Sequence, residues 1–253
     1  MKMTILALCA VVTTAGFAIQ QTPEQIARSR AKRAAALAAK GGLVTKPQSG
    51  NLFRVVSVQD RIDQSRIHDL ADDLNTKLLF GMEVSSTNII GSPIEFAQKF
   101  VRTRKTGSLL LVVDDAVLPV ILAAPEDAWA ILNVHTLDSD LPPANIYDER
   151  VRKEFNRAAA SAFNAGQSLN KPCVMDPVYS KSDLDGLKMN SVGPESVSKI
   201  IDTAKKRGIN PVVVANYRTA CTEGWAPAPT NDVQKAIWDD VHAIPTEPIK
   251  IKP

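Results

Sequence analysis

From residue 51 onward, apolar positions recur first at every second residue and then at helical spacing, and this exchange repeats along the chain. Residues 53–58 (FRVVSV) form a β-branched run that predicts a strand. Residues 61–74 place Ile67, Leu70 and Leu74 on one face of a helix, and residues 78–84 read as a second strand. Ser92-Pro93-Ile94-Glu95 has the form of a capping box, opening a helix that turns Phe96, Phe100 and Val101 inward. Three apolar runs follow, at 108–113, 120–124 and 129–135, and such continuous runs suit a buried sheet. Beyond a proline-containing loop, residues 149–165 form the longest predicted helix. Val151, Phe155, Ala159, Ala162 and Phe163 lie on its inner face, and Gly166 is available to stop it. A helix at 194–207 closed by Gly208, a short strand at 211–215 and a helix at 231–241 complete the pattern, with no internal repeat. Strands alternating with helices predict an α/β (α+β) domain over residues 51–243, with a mixed sheet and a long central helix. Residues 244–253 carry three prolines and are expected to be extended.

The start of the chain reads differently. Lys2 precedes an apolar or small run at 4–17, and Gly16-Phe17-Ala18 supplies small residues at a cleavage site, so residues 1–18 are expected to be a removable signal peptide. That expectation carries a second one, a secreted or periplasmic location. Residues 19–50 form an arm. Thr22-Pro23-Glu24-Gln25 resembles a helix start, and an alanine-rich run continues to Lys40 and stops at Gly41-Gly42. Ile26 and Leu37 are its main large apolar residues before that stop, so the helix has little to bury.

The whole chain has a formal net charge of +3, but the arm sets Arg28, Arg30, Lys32, Arg33, Lys40 and Lys46 against Glu24 alone. Arg28, Arg30, Lys32, Arg33 and Lys40 are therefore candidate anion-binding residues, for DNA or another nucleic acid or an acidic glycan. The same charges equally describe a solvated helix. With the signal removed, Cys173 and Cys221 remain, 48 positions apart. In an oxidising compartment they are expected to pair, in a bridge worth about 4 kcal/mol. Serine nucleophile elbows, phosphate-binding glycine loops and dinucleotide fingerprints are absent.

The segment around the long helix carries a family resemblance. Arg152-Lys153-Glu154 leads the helix, and Cys173-Val174-Met175 follows it, continued by Tyr179-Ser180-Lys181-Ser182-Asp183-Leu184-Asp185. This order resembles the archaemetzincin family of metzincin zinc proteases, over residues 53–208. The resemblance implies a zincin-like fold with a mixed sheet and central helix. Laid on this chain, the family's H-E-x-x-H-x-x-G-x-x-H motif would put its first histidine at Arg157, its glutamate at Ala158 and its second histidine at Ser161. Its glycine would fall at Asn164 and its third histidine at Gln167. None of these residues supplies the family's chemistry, because a catalytic zinc needs several N or O donors and a base to take a proton from its water. A lapsed, zinc-free member with no cofactor is therefore expected, with Met175 as the counterpart of the methionine beneath the zinc.

The remaining chemistry is thin. Asp114-Asp115 follows a buried strand and Asp183-Leu184-Asp185-Gly186 holds a second pair of carboxylates, and paired aspartates can serve as acid and base in peptide hydrolysis. Strand-end aspartates also cap turns. Trp225, in a proline-rich loop, suits either ligand stacking or pinning of that loop. The leading expectation is an exported binding module for extended peptides or glycoproteins. The alternatives are an extracellular protease using Asp114, Asp115, Asp183 or Asp185, and a binder of acidic polymers through the arm.

Overall fold

The computed structural model describes residues 34–58, 63–103, 106–166 and 173–243. The signal-peptide segment, Arg28, Arg30, Lys32, Arg33, Gln167 and the tail from residue 244 lie outside the described residues. The chain divides into two compact units, residues 45–214 and residues 1–44 with 215–253.

The larger unit is built on a five-stranded sheet. In chain order its strands and early helices are β1 (Leu52–Val58), α1 (Gln64–Leu78), β2 (Met82–Thr87), α2 (Pro93–Thr103), β3 (Thr106–Val113), β4 (Ile121–Ala124) and β5 (Trp129–Asn133). Then come α3 (Ala144–Ala162), α4 (Lys181–Gly186) and α5 (Pro194–Lys206). The strand order across the sheet is β2-β1-β3-β5-β4. The first four of these strands run parallel, and β4 pairs antiparallel with β5, Ile121 opposite Leu132 and Ala124 opposite Trp129. Every residue of β3 and β5 is buried, which is why both read as continuous apolar runs rather than alternating ones.

Two apolar layers flank the sheet. On one face Phe53, Val55, Leu110, Val112, Ala130 and Leu132 meet α1 and α3, with Phe155, Ala159 and Phe163 among the buried contacts. On the other face Val56, Leu109, Leu111, Val113 and Ile131 meet Ala97 and Phe100 of α2. The alternation along β1 and β3 thus sends successive side chains to opposite cores. Phe96 and Val101 are only partly buried against the second layer.

The boundaries depart from expectation in two places. Leu78 ends helix α1 with Leu79 as its cap, and Phe80 and Gly81 lead into the strand, Phe80 in an isolated bridge with Pro211 and the Gly81 carbonyl accepting from the Phe53 N–H. Leu79 takes a left-handed conformation, φ 51°, its N–H bonds to the Asn75 carbonyl, and the Asn75 side chain accepts from the Phe80 N–H at 3.2 Å. The strand begins only at Met82. Helix α3 starts at Ala144, directly after Pro143, five positions ahead of the predicted start, because a proline preceding the first turn is compatible with helix entry and the turns before Arg150 bury no residue fully.

The smaller unit holds an exposed helical turn at residues 34–39, α6 (Tyr217–Thr222) and α7 (Asp232–His242). Tyr217, Cys221 and Ile237 form its core. The Tyr217 N–H bonds to the Gly42 carbonyl at 3.0 Å, and Gln234 Nε2 donates to the Gly41 carbonyl at 2.8 Å. Gly41 has φ 77°, and a Cβ there would come within 2.8 Å of Tyr217 Cβ, so only glycine fits the approach. Tyr217 Oη donates to the Pro227 carbonyl at 2.8 Å and Trp225 Nε1 to Glu223 at 2.6 Å, so both anchor the proline-rich loop.

The expected disulfide is not formed. Cys173 and Cys221 are both free and buried. Each thiol is absorbed by a different core: Cys173 Sγ accepts from the Met175 N–H at 3.3 Å within the larger unit, while Cys221 packs with Tyr217 and Ile237. Burial pushes the Cys221 thiol upward in pKa, which lowers its reactivity as a thiolate. Sequence separation measures the stabilisation a bridge would bring but says nothing of whether the two Cα atoms approach.

Candidate functional site

Helix α3 carries charge on its buried face. Arg150, Val151, Glu154, Phe155 and Ala158 recur at spacings of three and four, so the first and third of these side chains enter the interior with the apolar ones. The structure solves this burial in three ways, and together they build a cleft.

Arg150 is 3% exposed. Its guanidinium donates from Nε and Nη2 to both oxygens of Asp185, from Nη1 and Nη2 to Asp140, and from Nη1 to the Leu137 carbonyl. Lys153 Nζ, one residue turn away, donates to the Leu184 carbonyl at 2.9 Å. These bonds fasten the short helix α4 and the 137–140 loop onto α3. Arg150 holds the Asp185 carboxyl below its usual pKa range, chiefly by those hydrogen bonds, and holds Asp140 well below it with help from Lys181.

Arg157 lies one turn beyond Glu154. Its Nη1 donates to the carbonyls of Val174 at 2.6 Å and Asp176 at 2.7 Å. Those two carbonyls belong to a tight turn, Cys173 to Asp176, closed by the Asp176 N–H to the Cys173 carbonyl at 3.1 Å, with Val174 and Met175 buried beneath α3. Glu154 is 4% exposed and pairs with Arg157 Nε at 3.4 Å, a contact that falls short of hydrogen-bond geometry. Desolvation raises the Glu154 pKa, and the neighbouring guanidinium only partly offsets it.

Above this pair opens a cleft of about 420 Å³, lined by Val120 and Ile121, by Thr136 and Leu137, and by Val178 to Lys181 with Leu184. Glu154 and Arg157 are its polar floor. Its side wall is β4, the outer strand of the sheet. The Asn133 N–H bonds to the Val120 carbonyl, so pairs 120:133 and 122:131 are the hydrogen-bonded ones, and the backbone groups of Ile121 and Ala123 point away from the sheet.

The C-terminal end of α3 also matters to the alignment of the site. Ala162 ends the helix, Asn164 has φ 57° and the Ala165 N–H returns to the Ala160 carbonyl, a left-handed termination at the position where the family resemblance would put the motif's glycine. Arg207 caps the same end, Nη1 to the Ala162 carbonyl at 2.7 Å, with its guanidinium 5.5 Å from the Phe163 ring centre.

The fold of the larger unit is metzincin-like. Archaemetzincin from Methanopyrus kandleri, solved as a crystal structure, superposes with a TM-score of 0.50 at 18% identity, over 63% of this chain and 98% of that one. A zinc-dependent peptidase from Methanocorpusculum labreanum superposes with a TM-score of 0.44 at 16% identity, over 58% of this chain and 99% of that one. No protein-family model matches the sequence, and no curated protein matches it.

The residues onto which the family resemblance would lay the zinc motif do not fit a zinc ion. Arg157 is a cation already committed to two carbonyls, Ala158 is fully buried with no acid function, and Ser161 Oγ donates back to the Arg157 carbonyl at 2.8 Å. Among the described residues no three His, Cys, Asp or Glu side chains are grouped to hold a metal. His68 and His242 are exposed on α1 and α7, and His135 Nδ1 lies 2.6 Å from Asp114.

The four candidate aspartates are placed separately. Asp114 pairs with His135; Asp115 accepts from the Val117 and Leu118 N–H groups and caps a turn; Asp183 accepts from the Tyr179 N–H; Asp185 is held by Arg150. Each is engaged by a partner other than a second carboxylate. Lys40 is exposed in the smaller unit. Glu154 and Arg150 were not singled out as site residues from sequence, although their helical spacing with Val151, Phe155 and Ala158 is a signal that was present.

Proposed function

We propose that this protein is an exported, zinc-free relative of the metzincin fold that holds extended peptide segments, free or within glycoproteins, in the cleft between β4 and α3. The observation that carries the reading is Arg157. On the register that the resemblance implies, its guanidinium would stand where the first metal ligand falls, and it bonds the Val174 and Asp176 carbonyls, which closes the floor of a cleft whose wall presents a strand edge. An extended chain laid against Ile121 and Ala123 would gain backbone hydrogen bonds, while alternate side chains entered the cleft.

The export reading rests on the segment before residue 19, and it supplies the class of partner, extracellular peptide or glycoprotein. The rival hydrolase reading has less support, because no two of its aspartates share a proton site. Acidic-polymer binding by the arm stands as the alternative for Lys40 and the basic residues before it.

The test is fluorescence anisotropy with a labelled, blocked seven-residue peptide of alternating valine and serine. Wild-type protein is expected to bind it. The Ala123→Pro variant, which loses an outward N–H without breaking the β4–β5 ladder, is expected to lose at least tenfold in affinity with an unchanged circular dichroism spectrum. Equal binding by both proteins would refute strand addition at β4.

A further inference from the structure

We infer that the cleft selects a peptide whose inward-pointing side chain ends in a carboxamide, with glutamine the intended occupant, recognised by Glu154 and Arg157 together. This rests on the peptide-binding reading of the same cleft and names what that cleft would choose.

The floor is an unusual pair. Glu154 is more than nine-tenths buried yet lines the cleft, and its carboxyl has no hydrogen bond of good geometry among the described residues. Arg157 spends Nη1 on two carbonyls, its Nε is buried without a hydrogen-bond partner, and Nη2 donates to none of the described residues. The floor therefore offers one acceptor group, the Glu154 carboxyl, beside the uncommitted Nε and Nη2 donors of Arg157. Buried polar groups in native proteins are almost always satisfied, so a pair left open toward a cleft points to a ligand that completes it.

The charges decide the class of ligand. Glu154 and Arg157 sum to zero when ionised. A carboxylate arriving beside Arg157 would meet the Glu154 oxygens, and an ammonium arriving beside Glu154 would meet the guanidinium. Either would leave one buried like-charge contact. An aliphatic side chain would leave both groups unpaired. A carboxamide carries an NH₂ for Glu154 and a carbonyl oxygen for Arg157 on one planar group, with no net charge. The remaining cation of the lining, Lys181, is already bound to Ser139 Oγ and Asp140, so it does not tip the balance toward an acidic ligand.

The rest of the cleft agrees with this geometry. Val120, Ile121, Leu137, Val178 and Leu184 contribute apolar lining that would surround an aliphatic stem, alongside the polar Thr136, Tyr179, Ser180 and Lys181. Strand addition at β4 sends every second side chain toward one side of the bound strand, so a single central residue is presented to that floor.

The experiment uses the full mature chain and four blocked seven-residue peptides, identical except for a central glutamine, glutamate, lysine or leucine, titrated by fluorescence anisotropy. The glutamine peptide is expected to bind at least tenfold tighter than each of the other three. In Glu154→Gln the floor loses its negative charge and keeps its shape, so the preference is expected to move to the glutamate peptide. Unchanged circular dichroism and thermal melting of the variant exclude a folding defect. Equal affinity for all four peptides, with Ala123→Pro still weakening them, would overturn this inference and leave the strand-addition reading standing. A wild-type preference for glutamate, lysine or leucine would overturn it as well, and so would an unaltered preference in Glu154→Gln. Absence of binding to every peptide would overturn both readings.

Discussion

Replacing Arg150 by methionine tests the argument that a buried cation fastens the cleft wall to the helix beneath it. Methionine matches much of the stem and makes none of the guanidinium's five hydrogen bonds to Asp185, Asp140 and the Leu137 carbonyl. Removing one member of a buried ion pair costs about 3–5 kcal/mol. Here the arginine side chain is 4% exposed but its two carboxylates are 47% and 36% exposed, so water can solvate them when the cation leaves. The lower end, about 3 kcal/mol, is therefore expected. With a urea slope of about 3 kcal/mol/M, the unfolding midpoint should fall by about 1 M, followed by circular dichroism. Acid should expose the same linkage. Arg150 depresses the Asp185 carboxyl by hydrogen bonding, so that part of the stability is present above the ordinary aspartate range and is lost as pH falls through the depressed value. The Arg150→Met variant should show a shallower loss over that acid window. A midpoint shift below about 0.3 M, or an unchanged acid profile, would refute the reasoning.

Four further outcomes follow from the same structure. Glu154→Gln should be at least as stable as wild type at neutral pH. Its carboxyl is raised by burial, so ionisation penalises the fold as pH rises through the raised value, and melting temperatures from pH 4 to 8 should show the variant losing that decline. The thiols of Cys173 and Cys221 should react with a chromogenic disulfide reagent in urea without prior reduction, and should react slowly in the folded protein; a blocked pair would contradict their free state. Gly107→Ala should destabilise by about 1–3 kcal/mol in urea titration, because the new Cβ would lie 2.3 Å from Ile209 Cγ1. Leu110→Ala, at a fully buried position of β3, should cost about 2–5 kcal/mol in the same assay.

Much of the sheet was legible because its central strands, β3 and β5, are largely apolar runs buried at every residue. The residues 108–113 and 129–135 announced β3 and β5 to within two positions. Helix boundaries were less legible where side chains rather than periodicity set them, as at Asn75 and Leu79. The short helix α4 carried no apolar repeat; Ser180 caps it through the Asp183 N–H, and Arg150 and Lys153 hold it from another element, so its cause is tertiary. The family resemblance agrees with the metzincin-like fold, and Asn164, where that resemblance would put the motif's glycine, has φ 57°. What remained hidden was the use of Arg157 and Glu154, because a charged residue on a buried helical face looks from sequence like a break in the pattern. Only the position of the Val174 and Asp176 carbonyls makes it a closed floor. The expected disulfide misled for a similar reason: two cysteines and a compartment define an opportunity, and the separate cores around Tyr217 and Val174 decide against it.

The most direct test of the central claim is elemental analysis of the purified protein after equilibration with zinc and removal of free metal, paired with digestion of a denatured protein substrate with and without chelator. With Arg157 committed to the Val174 and Asp176 carbonyls, the account predicts substoichiometric zinc and no chelator-sensitive digestion. One zinc per chain together with digestion abolished by chelator would contradict it and place the metal ligands elsewhere in the chain.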